Sequence, residues 1–310
     1  MKNSNYSVIV LGDLILDQYI KGEVSRISPE APVPILKQNE TYHVLGGALN
    51  VSQNLKSLGL AVYPFGTIGN DNAGEKIIKT LKKQKIPTKN ILVKKNFITS
   101  VKTRFAYKNH HLLRLDNEQS ANSIKNDKKI FDQLTKQISK VDFILISDYG
   151  KGVCSNNLLK QVLDISQKNN INVFIDPKGK NYHKYHGAFC ITPNVMEAEH
   201  VLNKKLNTNL DFEKAAKEIC IKFNIENCII TRGGNGSTIY DSKKSKFYHP
   251  SAKKVEVFDV SGAGDIFISV LAYNYSTSLK KSLLNSTKIA HELATESVKH
   301  FGTFSLESLN

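Results

Sequence analysis

Short apolar runs, each followed by a stretch of helical periodicity, recur along this chain and constrain its fold more than any other feature. "VIVL" at 8–11, "FILIS" at 143–147, "VFID" at 173–176 and "CIIT" at 228–231 have strand length but no polar alternation. Strands apolar on both faces must be covered on both, as in a parallel sheet between helices. Helical patterns fall between them: residues 48–58, with Gly46 and Gly47 before and Gly59 after, then 73–86, 126–139, 155–167, 195–202, 211–223, 265–276 and 284–300. The alternation predicts an α/β fold, a three-layer α/β/α sandwich with a mostly parallel central sheet. Open sheets of this kind bind ligands at the carboxyl ends of their strands. Asp13, Asp148, Asp176, Asn194 and Thr231 all fall at such ends.

Two β-rich pieces, about 14–40 and 98–115, break the rhythm and are placed to pair as a small second sheet; the later one reads as two strands around "KNHH". The first contains "SRISPEAPVP", with Pro29, Pro32 and Pro34 among the chain's 8 prolines. Proline fixes φ and removes a donor, so this stretch is expected to be extended, on an edge or over the surface. No linker or repeat divides residues 1–310, and a single domain is expected.

The formal net charge is +15, but it is mostly lysine scattered along the chain. No basic stripe with interleaved aromatics accompanies it, so a solvated surface is expected and no nucleic-acid partner. The apolar runs are far short of a membrane span, and the start lacks a signal-peptide core, so no membrane partner and a cytoplasmic location are expected. Cys154, Cys190, Cys220 and Cys228 lack metal-site spacing and read as buried thiols. Arginine is scarce: Arg26, Arg104, Arg114 and Arg232. A retained arginine can mark a site that needs a planar bidentate donor.

"DVSGAGD" at 259–265 carries the most chemistry. Gly262, Ala263 and Gly264 are small enough for backbone N–H groups to approach an anion, and a helix starting there points its positive end at the same spot. A carboxylate beside such a hole would repel a bound phosphate. Its presence makes sense if Asp265 takes a proton from an attacking hydroxyl while the N–H groups stabilise a phosphoryl group in transfer. The alternative is an aspartate capping a helix after a glycine turn. No Walker-type loop and no protein-kinase motif set is present.

"GGALN" at 46–50, "NVME" at 194–197, "TRGGNG" at 231–236 and "GAGD" at 262–265 together resemble the ribokinase-like carbohydrate kinases, the PfkB family, across nearly the whole chain. "GDLILDQYIKGEVSRISPEAPVPILK", "LLRLD", "SDYGKG" and "IDPKG" resemble the branch of that family that phosphorylates a heptose 7-phosphate. The resemblance implies a ribokinase-like sandwich with a β-sheet lid. It implies ATP-dependent phosphorylation of the anomeric hydroxyl of D-glycero-β-D-manno-heptose 7-phosphate to the 1,7-bisphosphate, a step toward lipopolysaccharide heptose precursors. Only the kinase step is expected, without an adenylyltransferase domain. Another sugar or sugar phosphate as acceptor, or a non-catalytic sugar-binding protein on this fold, are the competing readings.

By the same resemblance, Asp265 is the general base and Gly262, Ala263 and Gly264 form the anion hole. Asn194, Glu197, Lys178, Thr231, Arg232, Gly233 and Gly236 would serve ATP, and Glu197 would meet Mg²⁺ through water. Asp13, Gly46, Gly47 and Asn50 would bind the sugar, with Asp17 and Asp148 as further candidates. Arg26, Lys102, Arg104 and Arg114, all in the lid segments, would take the acceptor's phosphate. "HFGT" at 300–303 resembles a late loop near adenine, and the lid implies a homodimer. The chain departs from the family pattern at Leu49, where a small residue is commoner, and at Ser261, which replaces threonine.

Overall fold

The central strand β1 (Ser7–Gly12) is buried from Val8 onward and pairs in parallel on both sides, with β4 (Ala61–Gly69) and β8 (Phe143–Ser147). That is what its unbroken apolar run requires. The computed structural model describes residues 6–108, 110–119 and 127–306. Around β1 the sheet extends through β9 (Asn172–Asp176), β10 (Cys190–Ile191) and β11 (Asn227–Thr231) on one side and β5 (Ile91–Lys94) on the other. These pairings are parallel; β12 (Ser237–Asp241) and β13 (Lys246–Tyr248) close one edge antiparallel.

Two apolar cores lie on the two faces of this sheet. One packs α3 (Asp127–Ile138), α4 (Asn156–Lys168), α5 (Val195–Leu202) and α6 (Asn209–Phe223). The other packs α1 (Ala48–Ser57), α2 (Asn72–Lys83), α7 (Ala263–Thr277) and α8 (Leu283–Ser297). The expected three-layer sandwich is therefore present. The helix starts follow their caps: Asp71 accepts from Gly74 N before α2, Ser155 from Leu158 N before α4, and Asn194 and Glu197 form a reciprocal capping box on α5. β5 is not among the expected strands, since its short "ILVK" carries little strand signal. The four cysteines are free and buried, and burial pushes their thiol pKa values up.

The second sheet runs β3 (Pro34–Gly47), β2 (Leu14–Ile27), β6 (Ser100–Tyr107), β7 (His110–Asn117). The two β-rich pieces do pair, through a parallel β2–β6 seam from Ile15–Ser100 to Gly22–Tyr107. Asn109, in the turn of the expected 98–115 hairpin, and residue 126, at the expected start of α3, lie outside the described residues. Only Asp13 separates β1 from β2, and the first residues of β2 are buried in the main core. The proline stretch differs from an extended ribbon. Residues 28–33 turn the chain from β2 into β3, closed by Ser28 N donating to Val33 O at 2.9 Å. Pro29 and Pro32 lie in the turn. Pro34 opens an edge strand, where a missing donor costs no ladder bond.

Candidate functional site

The last loop before α7 sets the geometry. Gly262 caps the helix with φ at 83°, and a Cβ there would lie 2.9 Å from Asn50 Nδ2. Glycine is thus required twice, for the left-handed backbone and for the close approach. Gly264 has open space where a side chain would project. The first turn of a helix has no intrahelical acceptors for its N–H groups, and α7 aims them at this loop. Ala263 N already donates to Val260 O at 3.2 Å, which leaves the glycine N–H groups as the freer donors.

Asp265, in the first turn of α7, is 3% exposed. Asn50 Nδ2 donates to its Oδ2 at 2.9 Å and the Tyr149 hydroxyl to its Oδ1 at 2.8 Å. Burial pushes its pKa up to about 6, against the lowering effect of those two donors. A carboxylate held near neutrality is matched to proton abstraction.

The lid reaches this loop through Asp259. Burial raises the Asp259 carboxyl, but bonds from His111, Ser261 and Gly302 outweigh it and hold the pKa below the usual range. His111 Nε2 of β7 lies 3.0 Å from Asp259 Oδ2, and its ring stacks on Phe301 at 4.9 Å. Thr303 donates to Asp17 Oδ2 at 2.8 Å and pairs with the Tyr19 hydroxyl at 3.0 Å. The 300–303 loop, expected near adenine, therefore packs with Phe301 and Thr303 against the lid.

On the lid side of Asp265, Asp17 takes a 2.7 Å bond from Arg104, and both are largely buried. Lys102 Nζ lies 4.8 Å from the centre of the Tyr149 ring, and burial lowers its pKa. Gly46 lets Asp17 approach, since a Cβ would meet Asp17 Oδ2 at 2.6 Å; Gly47, with φ at 57°, abuts the Asp13 carbonyl. Asp13 accepts from the backbone N–H groups of Tyr149, Lys151 and Val153 at 2.9, 3.0 and 3.1 Å. Its carboxylate thus shapes the 149–153 loop. Asp148 is likewise engaged, by Lys184, the Tyr185 hydroxyl and Gly150 N.

Arg26 and Arg114 are not brought to this cluster within one chain. Arg114 pairs with Asp116 on its own strand at 2.8 Å. Arg26 is exposed near the hairpin tip, about 30 Å along β2 from Asp17 at ~3.3 Å per residue. Tyr149 and Lys151 were missed in the sequence. Their "SDYGKG" carries a family likeness but no periodicity or charge pattern that marks the contact of Tyr149 with Asp265 or the nearness of Lys151 to Lys102.

Across Asp265 lies a cleft of about 620 Å³ between the β11–β12 turn, residues 252–260 and the start of α7. Thr231, Gly233, Ala263, Gly264 and Asn194 are among its lining residues, and Val255, Val257, Val260 and Val298 add apolar surface. His291 borders it with its pKa down to about 4 through burial, so the ring is neutral, its Nε2 2.9 Å from Ser237 Oγ. Such a cleft suits a flat apolar base continued by a polyanion.

Asn194 also borders a neighbouring hollow of about 690 Å³ with Lys178 and Glu197, whose side chains pair at 2.8 Å. Asp176, at the end of β9, has a pKa raised well above normal by burial, then by Glu197 and Asp265. Arg232 turns away: its guanidinium bonds Asn209 at 2.6 Å and lies 5.0 Å from the Phe212 ring centre. Gly236 serves the turn itself, where a Cβ would strike Pro250 O.

Residues 6–308 match the family described as pfkB family carbohydrate kinase. The bifunctional protein HldE of Aliarcobacter butzleri is 38% identical over 281 residues, 90% of this chain and 58% of the relative. The HldE of Campylobacter fetus is 39% identical over 298 residues, 96% of this chain and 64% of the relative. The chain thus spans less than two thirds of these curated relatives. Among solved structures, Arabidopsis thaliana ribokinase complexed with ribose and ATP superposes with a TM-score of 0.74 at 17% identity, covering 96% of this chain and 94% of that one.

Proposed function

This chain belongs to the pfkB family of carbohydrate kinases, and from that premise we propose that it transfers the γ-phosphoryl group of ATP to the anomeric hydroxyl of D-glycero-β-D-manno-heptose 7-phosphate. The observation that carries the proposal is Asp265, a buried carboxylate with pKa about 6 at the start of α7, between the nucleotide-sized cleft and the cationic lid side.

The chemistry follows from that placement. Asp265 takes the proton of the anomeric hydroxyl as its oxygen attacks the γ-phosphorus. The bond from the γ-phosphorus to the bridging oxygen breaks, and ADP leaves with the electron pair. The N–H groups of Gly262 and Gly264, at the positive end of α7, receive the charge on the equatorial oxygens. The adenine sits among Val255, Val257, Val260 and Val298, and the phosphates run past Thr231, Gly233 and Asn194 toward Asp265.

Mg²⁺ fits this donor set only as a companion of the nucleotide. Among the described residues, no group of three or more His, Cys, Asp or Glu side chains could hold a metal ion. Glu197 is engaged by Asn194 N and Lys178, so it would act through water. Asp176 and Glu197 repel one another across the phosphate path, and a divalent cation would relieve that repulsion. The ion's chemical contribution is to neutralise phosphate charge.

The acceptor's own phosphate is assigned to Lys102 and Arg104, with Lys151 beside them. Lys102 is the strongest candidate, since it is desolvated beside Asp265 and Asp17. A second copy of the chain is assigned to the lid. Leu113 and Leu115 share one face of the edge strand β7 and are 62% and 56% exposed. Burying such a pair favours association. Arg26 and Arg114 would then be rim residues or contacts to the partner's acceptor.

The test is ADP release with ATP and a panel of acceptors: heptose 7-phosphate, the unphosphorylated heptose, fructose 6-phosphate and ribose. Fastest turnover is expected on heptose 7-phosphate. A clear preference for fructose 6-phosphate or ribose would overturn the acceptor assignment and leave the kinase assignment standing.

A further inference from the structure

Resting on the assignment of Asp265 as base, we propose that Tyr149 is a positioning residue whose phenol hydroxyl holds the place of the acceptor hydroxyl until the sugar arrives, and so denies that place to water. Both Asp265 oxygens are already occupied by donors, Asn50 Nδ2 on one and the Tyr149 hydroxyl on the other. The carboxylate is 3% exposed. Each oxygen has a second lone pair, but with the carboxylate this enclosed the phenol fills the place beside Oδ1, and a sugar hydroxyl takes that place by displacing it.

The two donors are not equally free to move. Asn50 lies on α1, is buried, and faces the backbone of Gly262. Its Oδ1 is buried without a partner, so losing the Nδ2 bond to Asp265 would leave both ends of a buried amide unpaired, which is costly. Tyr149 lies on a loop and is half-buried. Its backbone is fixed, because Asp13 holds the N–H groups of Tyr149, Lys151 and Val153, and Asp148 holds Gly150 N. The loop stays while the side chain turns about its own torsions. Lys102 lies over the Tyr149 ring, so an anionic acceptor drawn to Lys102 arrives against the ring that must move.

The hydroxyl has a specific consequence. With ATP bound and no sugar, water is the competing nucleophile. Its oxygen would attack the γ-phosphorus, one proton would pass to Asp265, the bond to the bridging oxygen would break, and ADP and inorganic phosphate would result. Tyr149 occupies the oxygen that would take that proton. It also stabilises the ionised carboxylate and lowers its basicity. The other charged groups facing Asp265 are Asp17 of β2, Lys102 of β6 and Asp176 of β9.

Tyr149→Phe removes the hydroxyl and keeps the ring under Lys102. ATP hydrolysis without sugar is expected to rise about tenfold, the scale of one lost hydrogen bond to a charged group. At saturating ATP, the acid limb of kcat/KM for sugar should move up by about one pH unit, since the sugar-free enzyme loses a donor to the carboxylate. The acid limb of kcat should not move, because Tyr149 has already left in the sugar complex. In Tyr149→Phe with Asp265→Asn the added hydrolysis should vanish. Unchanged hydrolysis in Tyr149→Phe, or kcat and kcat/KM limbs that move together, would overturn the proposal. Thermal melting of Tyr149→Phe confirms that the fold is kept. Asp265→Asn alone separates the two readings: retained sugar phosphorylation there sinks the base assignment itself.

Discussion

Gly262 and Gly264 sit two residues apart on the same turn, and alanine at each should produce opposite signatures. Gly262 has φ at 83° and its added Cβ would lie 2.9 Å from Asn50 Nδ2. The left-handed backbone costs an L-residue roughly 1–2 kcal/mol. Asn50 must also give way, loosening its bond to Asp265 for about another 1–2 kcal/mol. Gly262→Ala should thus lose about 2–4 kcal/mol. At roughly 2 °C per kcal/mol for a chain of this size, melting falls by about 4–8 °C. Gly264 has helical backbone and nothing within 4 Å of its added Cβ. Alanine there should gain about 0.5–1 kcal/mol from the helix. Its methyl, however, would stand in the cleft that Gly264 lines, over an N–H aimed at the phosphoryl group. Turnover should fall about a hundredfold, as for a lost anion-hole donor. Melting scans and ADP-release kinetics on both variants decide the matter. A Gly262→Ala variant that melts with the parent, or a Gly264→Ala variant that turns over like it, would refute this account of the loop.

Asp265→Asn should lower turnover by roughly 10²–10⁴-fold while leaving nucleotide binding intact by calorimetry. Because the folded pKa of Asp265 is raised to about 6, the ionised carboxylate is a stability penalty that is absent at pH below the unfolded value and complete above about 6. Asp265→Asn should therefore melt higher than the parent at pH 8, by about 1–3 kcal/mol, and not at pH 4. The same pKa makes parental kcat/KM fall as pH drops below about 6, readable from a rate profile on a stable pH series. Lys102→Met keeps the packing over Tyr149 and removes a desolvated charge. Melting should hold, while KM for the sugar phosphate rises about tenfold or more. Arg104→Ala removes the ion-pair partner of the buried Asp17, and should cost about 3–5 kcal/mol in denaturant titration.

The layered fold was legible because its signal is coarse. Apolar runs such as "FILIS" admit few arrangements, and "DVSGAGD" can begin a helix only after a glycine turn. The pairing of 14–40 with 98–115 also followed, since both pieces were strands without places in the main rhythm. The rest depended on directions that a sequence does not write down. Arg232 follows a strand end like Thr231, yet its side chain lies over Phe212 because Asn209 offers it a bond. Asp13 and Asp17 look alike in "GDLILD", but one carboxylate faces a loop backbone and the other Arg104. Tyr149 shows no periodicity or charge pattern, because its contact with Asp265 joins residues 116 positions apart. The proline stretch is non-helical and at an edge, as expected, and extended at both its ends, but residues 28–33 turn between them, because stiffness alone does not say where a proline-rich strand stops.

β2 is core for its first residues and lid thereafter, and past Gly22 its only pairing among the described residues is with β3. That division gives the lid a free end and a fixed one. Within a regular stretch, removal of a single residue would turn every later side chain to the opposite face, and the hairpin takes up odd residues at its two register shifts, between Lys21 and Gly22 and between Val24 and Ile27. Away from those shifts its length is counted in steps of two, and the proline turn is the cap that travels with each step. The distal hairpin can be rebuilt from the tip inward without disturbing the register at Asp17 or the core beneath it.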